Sequence, residues 1–189
     1  FMYKANLGLR TAVKILKPIK TFRIANEQDL YDQVYKMSWE DYMKSSGTLA
    51  IDATVHSTVF THSKYIALKT KDAIVDKFRD TTGERPNIDL RFPDLKVNVH
   101  IDKQMCTLSL DSSGESLHKR GYKTATNIAP INEVLAAGLL LLSGWDGQSD
   151  FMDPMCGSGT ILIEAAMIAC NIPPSLLRKE FAFERWQDW

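Results

Sequence analysis

Several features are scarce or missing in this sequence of 189 residues, and each absence excludes a class of protein. The three cysteines, Cys106, Cys156 and Cys170, include no CxxC pair, so neither a disulfide framework nor a zinc site is predicted. No apolar run approaches the roughly 20 residues that a membrane-spanning helix needs. The N-terminus also lacks a small-residue cleavage site behind an apolar core, so no signal peptide is predicted. We therefore expect a cytoplasmic protein with no membrane partner.

An excess of charge of either sign is also missing. Lys and Arg together number 23, as do Asp and Glu, so any basic surface must be local rather than global. A hydrophobic fraction of 44% argues against wholesale disorder. The four histidines show no ligand spacing, which gives a second reason to expect no metal. The chain opens at Phe1 with a helical pattern already under way, and we expect it to be a segment of a longer protein.

The first 112 residues have the pattern of a small α+β domain. The first 23 residues hold six basic side chains and no acid, and their helical pattern is predicted to end at Pro18. Asp29 to Lys44 is predicted as an amphipathic helix in which Trp39 faces the core. Residues 97–102 and 106–111 alternate strictly and predict a hairpin. Helices on one face of a mixed sheet are expected from this order.

The composition changes after residue 112. A basic stretch, His118 to Lys123, is followed by a predicted apolar helix from Ile131 to Leu142. Asp150 to Met152 is predicted as a very short strand that leads into a glycine-rich turn, and Thr160 to Cys170 as the helix that follows. A strand, a glycine-rich turn and a helix together form a unit that holds a ligand at a helix N-terminus.

Two residues that this turn lacks exclude two classes of ligand. A phosphate-binding P-loop would need a lysine after Gly159, where the chain has Thr160. A dinucleotide fingerprint would need a small residue at position 162, which is Leu. Asp153 before the glycines suits a positively charged ligand such as a sulfonium with an α-amino group. The alternative is a structural turn whose following helix is capped by Ser158 or Thr160.

The turn also supports a family resemblance. It consists of Asp153, Pro154, Met155, Cys156, Gly157, Ser158, Gly159 and Thr160. With Ile161 to Ala166 it resembles the S-adenosylmethionine-binding motif of the THUMP-domain RNA guanine-N2 methyltransferases, and most closely the bacterial members that act on large-subunit ribosomal RNA. His118 to Lys123 and Ala129 to Glu133 resemble the stretch that precedes the motif there. Residues 69–76, 85–87 and 97–99 resemble the THUMP domain.

The resemblance implies a fold class, a cofactor and two domains. Residues 1–112 would form an α+β THUMP RNA-binding domain, and 113–189 the truncated start of an α/β Rossmann-like S-adenosylmethionine-dependent methyltransferase domain. The turn would cradle the methionine part of S-adenosyl-L-methionine, with Asp153 facing its amino group or organising the loop. Pro130 would close one side of the pocket. Glu164, one turn into the helix, is interpreted either as part of the site or as a solvent-facing residue.

The departures from the family pattern limit the expected activity. The catalytic tetrapeptide that follows the fourth strand in the family is absent, so no catalytic residue is assigned and this chain alone is expected to be inactive. Cys156 is interpreted as a small packed residue rather than a nucleophile, because no base lies beside it. Two other functions stay open, a DNA adenine-N6 methylase and a non-catalytic RNA-binding module.

RNA, in particular large-subunit ribosomal RNA, is the partner that the resemblance implies. Methylation of a base in RNA is helped by a second module that grips the strand through its shape and backbone. The alternative for each cation is a solvated helix face that binds nothing. The candidate RNA contacts are Lys64, Lys69, Lys71, Arg85, Lys119, Arg120 and Lys123.

Overall fold

The computed structural model of the chain describes residues 1–123 and 130–187. Ala129, which is part of the family resemblance, lies outside the described residues. The helices are α1 (Met2–Gly8), α2 (Glu27–Tyr35), α3 (Ser63–Thr82), α4 (Glu133–Leu142) and α5 (Thr160–Ala169). The strands are β1 (Leu16–Arg23), β2 (Thr48–His56), β3 (Asn87–Ile88), β4 (Leu95–Asp102) and β5 (Met105–Asp111), and short 3-10 helices span Trp39–Asp41 and Ala182–Arg185.

The chain divides into two compact units that differ from the predicted division at both ends. The sheet unit consists of Leu16–Gly114 with Ala182–Trp189, and the helical unit consists of Phe1–Ile15 with Glu115–Phe181. The break falls two residues after the predicted boundary at 112. The first 15 residues, assigned above to the N-terminal domain, pack with the helical unit, and residues 182–187 pack with the sheet unit.

The sheet unit is built on five strands in the order β1-β5-β4-β2-β3. β5 pairs antiparallel with both β1 and β4, while β4 and β3 run parallel to β2. The predicted hairpin is confirmed as β4 and β5, where Asp102 pairs with Met105. α3 is the parallel crossover that connects β2 towards β3, so this is the mixed sheet that the sequence pattern predicts.

One face of this sheet carries the core, which α2 and α3 cover. β4 alternates strictly between buried and more exposed positions, with Val97, Val99 and Ile101 fully buried. Trp39 is also fully buried, as predicted, and its indole N–H donates to the Val34 carbonyl at 2.8 Å. The predicted single helix from Asp29 to Lys44 is wrong: α2 ends at Tyr35, and the chain turns so that Trp39 can enter the core.

The prediction that a helix extends to Pro18 is also wrong. Residues 16–23 form β1, which pairs with β5 along the edge of the sheet. The register shifts between Pro18 and Lys20. An edge strand with such an irregularity tolerates a residue that has no N–H to donate, so Pro18 fits here although it could not continue a helix.

An Asn26→Ala substitution is expected to lower the free energy of unfolding by about 1 kcal/mol, because the Asn26 side chain caps α2. Its Oδ1 accepts from the amides of Gln28 and Asp29, both at 2.9 Å. Urea denaturation followed by circular dichroism measures the change. The Asn26→Asp variant keeps an acceptor at this position and should remain close to wild type, so an equal loss in both variants would contradict the capping role.

The helical unit is held together by contacts between its N-terminal segment and residues beyond 115. An Arg10 guanidinium nitrogen donates to the carbonyls of Met167 at 3.0 Å and Ile172 at 2.7 Å. The amide of Ser175 donates to the carbonyl of Leu7. Basic residues in this segment are therefore partly used inside the unit, and Arg10 stabilises the C-terminal end of α5.

Two further findings concern single elements. The predicted strand from Asp150 to Met152 is wrong, since these residues have no regular secondary structure and no partner strand in the described ranges. A strand needs a neighbour to satisfy its backbone groups, and the sheet described belongs to the other unit.

Within residues 1–123 and 130–187, no helix has the length and apolarity to cross a membrane.

Candidate functional site

The glycine-rich turn forms a tight bend directly before α5. The Gly159 amide donates to the Cys156 carbonyl at 2.7 Å, which closes the bend. Gly157 has a φ of +55° and Gly159 a φ of +72°, a left-handed conformation that side chains disfavour. The two glycines are therefore required by the backbone of the turn, as the sequence pattern predicts.

Both glycines face open space. A Cβ atom added to Gly157 or to Gly159 would meet no other atom within 4 Å. Steric crowding by the rest of the chain therefore does not explain why both positions are glycine. A ligand could approach the backbone here without meeting a side chain.

The N-terminus of α5 is not capped by a side chain. Gly159 is the N-cap residue, and the first turn of the helix contains no acid. The Ser158 and Thr160 hydroxyls lie 3.1 Å apart and bond to each other. The alternative in which one of them caps the helix is therefore wrong. The amide groups of the first turn are positioned to donate to an anion such as a carboxylate.

Asp153 organises the first half of the turn. Its Oδ1 accepts from the amide of Met155 at 3.0 Å. Met155 and Cys156 are exposed, so the interpretation of Cys156 as a packed residue is wrong. Pro130 is exposed and lies three residues before α4, and its predicted part in a pocket stays a prediction.

A buried ion pair holds α5 about one helical turn after the glycine-rich turn. Glu164 and Arg120 have side chains that are 0% and 1% exposed, and Nε of Arg120 lies 3.4 Å from Oε1 of Glu164. The Tyr122 hydroxyl donates to the same carboxylate oxygen at 3.1 Å. Burial raises the pKa of Glu164, against the opposing attraction of Arg120. Burial, followed by the charge of Glu164, raises the pKa of Tyr122.

Arg120 also fixes the backbone around the pair. Its guanidinium donates to the carbonyls of Leu117, at 2.9 Å, and of Arg10. The predicted role of Arg120 as an RNA contact is therefore wrong, because its side chain is buried and its nitrogens are used. Glu164 is equally not solvent-facing. The sequence does not show that two residues 44 positions apart form an ion pair. A glutamate within an otherwise apolar helix is the one feature of the sequence that indicates a buried partner.

Wild-type protein is expected to gain stability relative to Glu164→Gln as the pH falls from neutral to the ordinary pKa of a glutamate, about 4.3. The pKa of Glu164 is raised on folding, so the folded state binds this proton more tightly than the unfolded state does. The penalty for burying the carboxylate is complete above the folded pKa and declines below it. Denaturant titrations of both proteins across this range measure the difference. A difference that grows in the opposite direction would contradict the assignment.

Two of the predicted RNA contacts on α3 are already used by neighbouring side chains. The Lys69 ammonium lies 4.9 Å from the ring centroid of Tyr31, and Lys71 forms an ion pair with Asp72 at 2.8 Å. The Tyr31 hydroxyl donates to Asp76 at 2.7 Å, and burial together with this bond raises the pKa of Tyr31 to about 12. This face of α2 and α3 is therefore a paired surface of mixed charge.

The remaining candidates are two residues of the sheet unit, which do not form one patch, and two residues of the helical unit. Lys64 and Arg85 are exposed but lie at opposite ends of α3, whose 20 residues span about 30 Å. Lys119 is exposed and forms an ion pair with Glu115. Lys123 is half-buried, with its ammonium 2.8 Å from Glu133. Contact with RNA by Lys64, Arg85, Lys119 and Lys123 stays a prediction.

The described residues contain no metal-binding cluster, and one of the three cysteines is buried. In the part of the chain that the structure describes, no three His, Cys, Asp or Glu side chains are grouped to hold a metal ion. Cys106 is fully buried, and burial raises the pKa of its thiol to about 12, so it is unreactive near neutral pH. The glycine-rich turn and its supporting ion pair are therefore the main candidate site.

Comparison with known proteins identifies both parts of the chain. Residues 24–111 match the THUMP domain family, and residues 120–188 match the family described as RMKL-like, methyltransferase domain. The second match contains the whole glycine-rich turn together with Arg120 and Glu164. The predicted fold class, a THUMP domain followed by the beginning of a methyltransferase domain, is thereby confirmed.

Curated and solved relatives agree with this assignment. The chain is 44% identical over 188 residues to ribosomal RNA large subunit methyltransferase K/L of Syntrophotalea carbinolica, covering 97% of the chain and 26% of that protein. A predicted N6-adenine-specific DNA methylase from Listeria monocytogenes is 34% identical with a TM-score of 0.85, over 100% of this chain and 49% of that one. SMU.472, a candidate methyltransferase complexed with SAH, is 35% identical with a TM-score of 0.81. The match covers 97% of this chain and 48% of that one.

The chain therefore combines a region that matches the THUMP domain with a region that matches an RMKL-like methyltransferase domain. It spans about a quarter of the K/L relative and about half of each of the two solved relatives. The family resemblance found in the sequence is confirmed.

Proposed function

We propose that this chain supplies the RNA-binding domain and the cofactor-binding turn of an S-adenosylmethionine-dependent methyltransferase that acts on guanine N2 of large-subunit ribosomal RNA. The resemblance of the turn and the name of the K/L relative support this substrate. Methyl transfer to such an RNA would take place in the cytoplasm. The cofactor supplies an electrophilic methyl group on a sulfonium, and positioning of the donor would contribute most of the rate.

The geometry of the turn is the observation that carries the proposal. Gly157 and Gly159 leave their backbone open to a ligand, and the first-turn amides of α5 have no side-chain cap. A ligand with a carboxylate and an ammonium fits this arrangement, since the amides donate to the first group. Asp153 would accept from the second, because only its Oδ1 is used within the described residues. The methionine part of S-adenosylmethionine has both groups.

A DNA adenine-N6 methylase is the second candidate, and the description of the Listeria relative favours it. The THUMP match and the higher identity to the K/L relative favour the ribosomal RNA substrate. Both reactions would use the same turn for the same donor, so the turn itself does not discriminate between them. The substrate has to be tested separately.

The test uses the longer protein of which this chain would form a part, because the relatives extend well beyond it. It is incubated with methyl-labelled S-adenosylmethionine and either unmodified large-subunit ribosomal RNA or duplex DNA. The products are digested and separated as nucleosides. We expect label in N2-methylguanosine from RNA. Label in N6-methyladenine from DNA alone would replace this proposal with the second candidate.

The 189-residue chain alone is expected to transfer no methyl group in the same assay, because it lacks the family's catalytic tetrapeptide. The longer protein is the positive control. Robust turnover by the short chain would contradict the account of which parts are needed for catalysis.

A further inference from the structure

A groove at one end of the sheet unit combines basic, hydroxyl and apolar side chains, and neither family match assigns it a role. It has a volume of about 550 Å³, within the range of small-molecule sites at ~300–1,000 Å³. It lies where the end of β1, the loop after β2 and the β4–β5 turn come together. The lining residues are Arg23, Ser57, Thr58, Val59, Lys103, Gln104 and Met105.

The walls of this groove are fixed by hydrogen bonds. The amide of Lys103 donates to the His56 carbonyl at 2.8 Å, and the amide of Ile24 donates to the Gln104 carbonyl at 2.9 Å. The Arg23 guanidinium donates to Oε1 of Gln104 through Nε at 3.1 Å and through one Nη at 2.7 Å. Lys103 has a φ of +54° at the tip of the turn. Hydrogen bonds therefore fix the conformation of the backbone at Arg23 and Lys103.

The charge of the lining residues is positive. Arg23 and Lys103 are both exposed, and neither has an ion-pair partner within residues 1–123 and 130–187. Asp102, in register with Met105, is the neighbouring carboxylate but does not line the groove. Three residues separate the loop that lines the groove from α3, whose first turn has no acid and no side-chain cap. An anion is favoured at such a helix start.

The apolar side chains indicate what else the ligand contains. Val59 is 53% exposed and Met105 is 46% exposed, although both belong to a unit with a well-filled core. They would contact the face of a base or a ribose beside a bound phosphate. An unpaired nucleotide presents that face, whereas a base stacked in a duplex does not.

The alternative surface on this unit is less suitable. Along α3 the cations Lys71 and Arg79 are paired with Asp72 and Asp76, at 2.8 Å and 3.0 Å. A phosphate would have to displace a carboxylate at each of these positions. The groove offers its cations without that competition.

We propose that the groove between Arg23 and Lys103 binds the phosphodiester backbone of an unpaired RNA strand. The inference rests on the proposed RNA-binding role of this domain and adds the place and the strandedness of the contact. It also assigns RNA contacts to Arg23, the last cation of the acid-free N-terminal segment, and to Lys103, which the sequence pattern does not select.

The test is the binding of a short fluorescein-labelled single-stranded RNA to the 189-residue chain, measured by fluorescence anisotropy between about 50 and 200 mM salt. The Arg23→Gln/Lys103→Asn variant should bind at least about tenfold more weakly at the lowest salt. The slope of log K against log salt should shrink by about 0.7 for each phosphate that the variant no longer neutralises. Asn is chosen at 103 because it tolerates the left-handed conformation.

The matched control is Lys71→Gln/Arg79→Gln, which removes the same charge from the paired face of α3. It should keep the wild-type affinity and slope. Thermal unfolding of each variant checks folding, and the single Lys103→Asn variant, whose side chain makes no structural bond among the described residues, should show half of the slope change. An unlabelled RNA duplex should compete less well than the single strand.

The outcomes separate two claims. If wild-type protein binds RNA but the groove variants bind equally well, or if the control is equally weakened, the groove assignment is overturned while the proposed RNA-binding role stands. Equal competition by the duplex overturns the assignment to unpaired RNA. If wild-type protein does not bind RNA, both the inference and the RNA-binding role are overturned.

Discussion

The Arg120→Met variant is expected to lose about 3–5 kcal/mol of unfolding free energy, the largest stability effect of any single substitution considered. Removing this guanidinium leaves the fully buried Glu164 carboxylate without its ion-pair partner. It also leaves the carbonyls of Leu117 and Arg10 without a donor. The carboxylate would keep only the Tyr122 bond among the hydrogen bonds described, and each carbonyl would lose a bond to a charged donor. Guanidinium chloride denaturation followed by circular dichroism measures the loss.

Two further variants show whether the loss comes from the unpaired charge. Lys119→Met alters the adjacent, exposed residue and should change stability by less than about 0.5 kcal/mol. The Arg120→Met/Glu164→Leu double variant removes both charges and should recover a large part of the loss, because a buried pair can often be replaced by apolar residues. A double variant that is as unstable as the sum of its two single variants would contradict the pairing.

The second large effect is expected on cofactor binding. The Gly157→Ala/Gly159→Ala variant should bind S-adenosylhomocysteine about 30–900-fold more weakly than wild type, since the two alanines together cost about 2–4 kcal/mol in the left-handed conformation. The added methyl groups would also project into the space that the glycines leave open. Isothermal titration calorimetry measures the affinity.

Gly138 provides the matched control for this prediction. It lies within α4, and an added Cβ there would also meet no atom within 4 Å. Gly138→Ala should raise stability by up to about 1 kcal/mol and leave the affinity unchanged, because alanine favours a helix interior. Equal weakening in both proteins, or no weakening in either, would show that the turn does not approach the ligand.

Local patterns in the sequence predict much of the sheet unit. Strict alternation in the sequence identifies β4, which buries one face, and β5, although both faces of β5 are buried over its last four residues. The end of α2 and the start of β1 could not be predicted in the same way. The burial of Trp39 interrupts a continuous helical pattern, and Pro18 is accepted only because β1 is an edge strand with a register shift. Tertiary packing decides both cases.

The candidate site likewise contains features that local sequence patterns predict and features that depend on tertiary packing. The two glycines and the start of α5 are predicted from the sequence, because positive φ angles demand glycine locally. The role of Arg120 is not, because its partners Arg10 and Glu164 are far away along the chain and its position within a basic stretch suggests a solvent-exposed residue. Charge in a sequence does not distinguish a surface cation from a buried one, and the contacts of the folded unit are needed for that.

The central claim, that the turn from Asp153 to Thr160 holds the methionine part of the methyl donor, is tested most directly by NMR. The amide spectrum of the isotope-labelled chain is recorded while S-adenosylhomocysteine is added to millimolar concentration. The account predicts saturable shifts that are largest at the amides of Gly157, Ser158, Gly159 and Thr160. Saturable shifts confined to other residues, or none at the highest concentration, would contradict it.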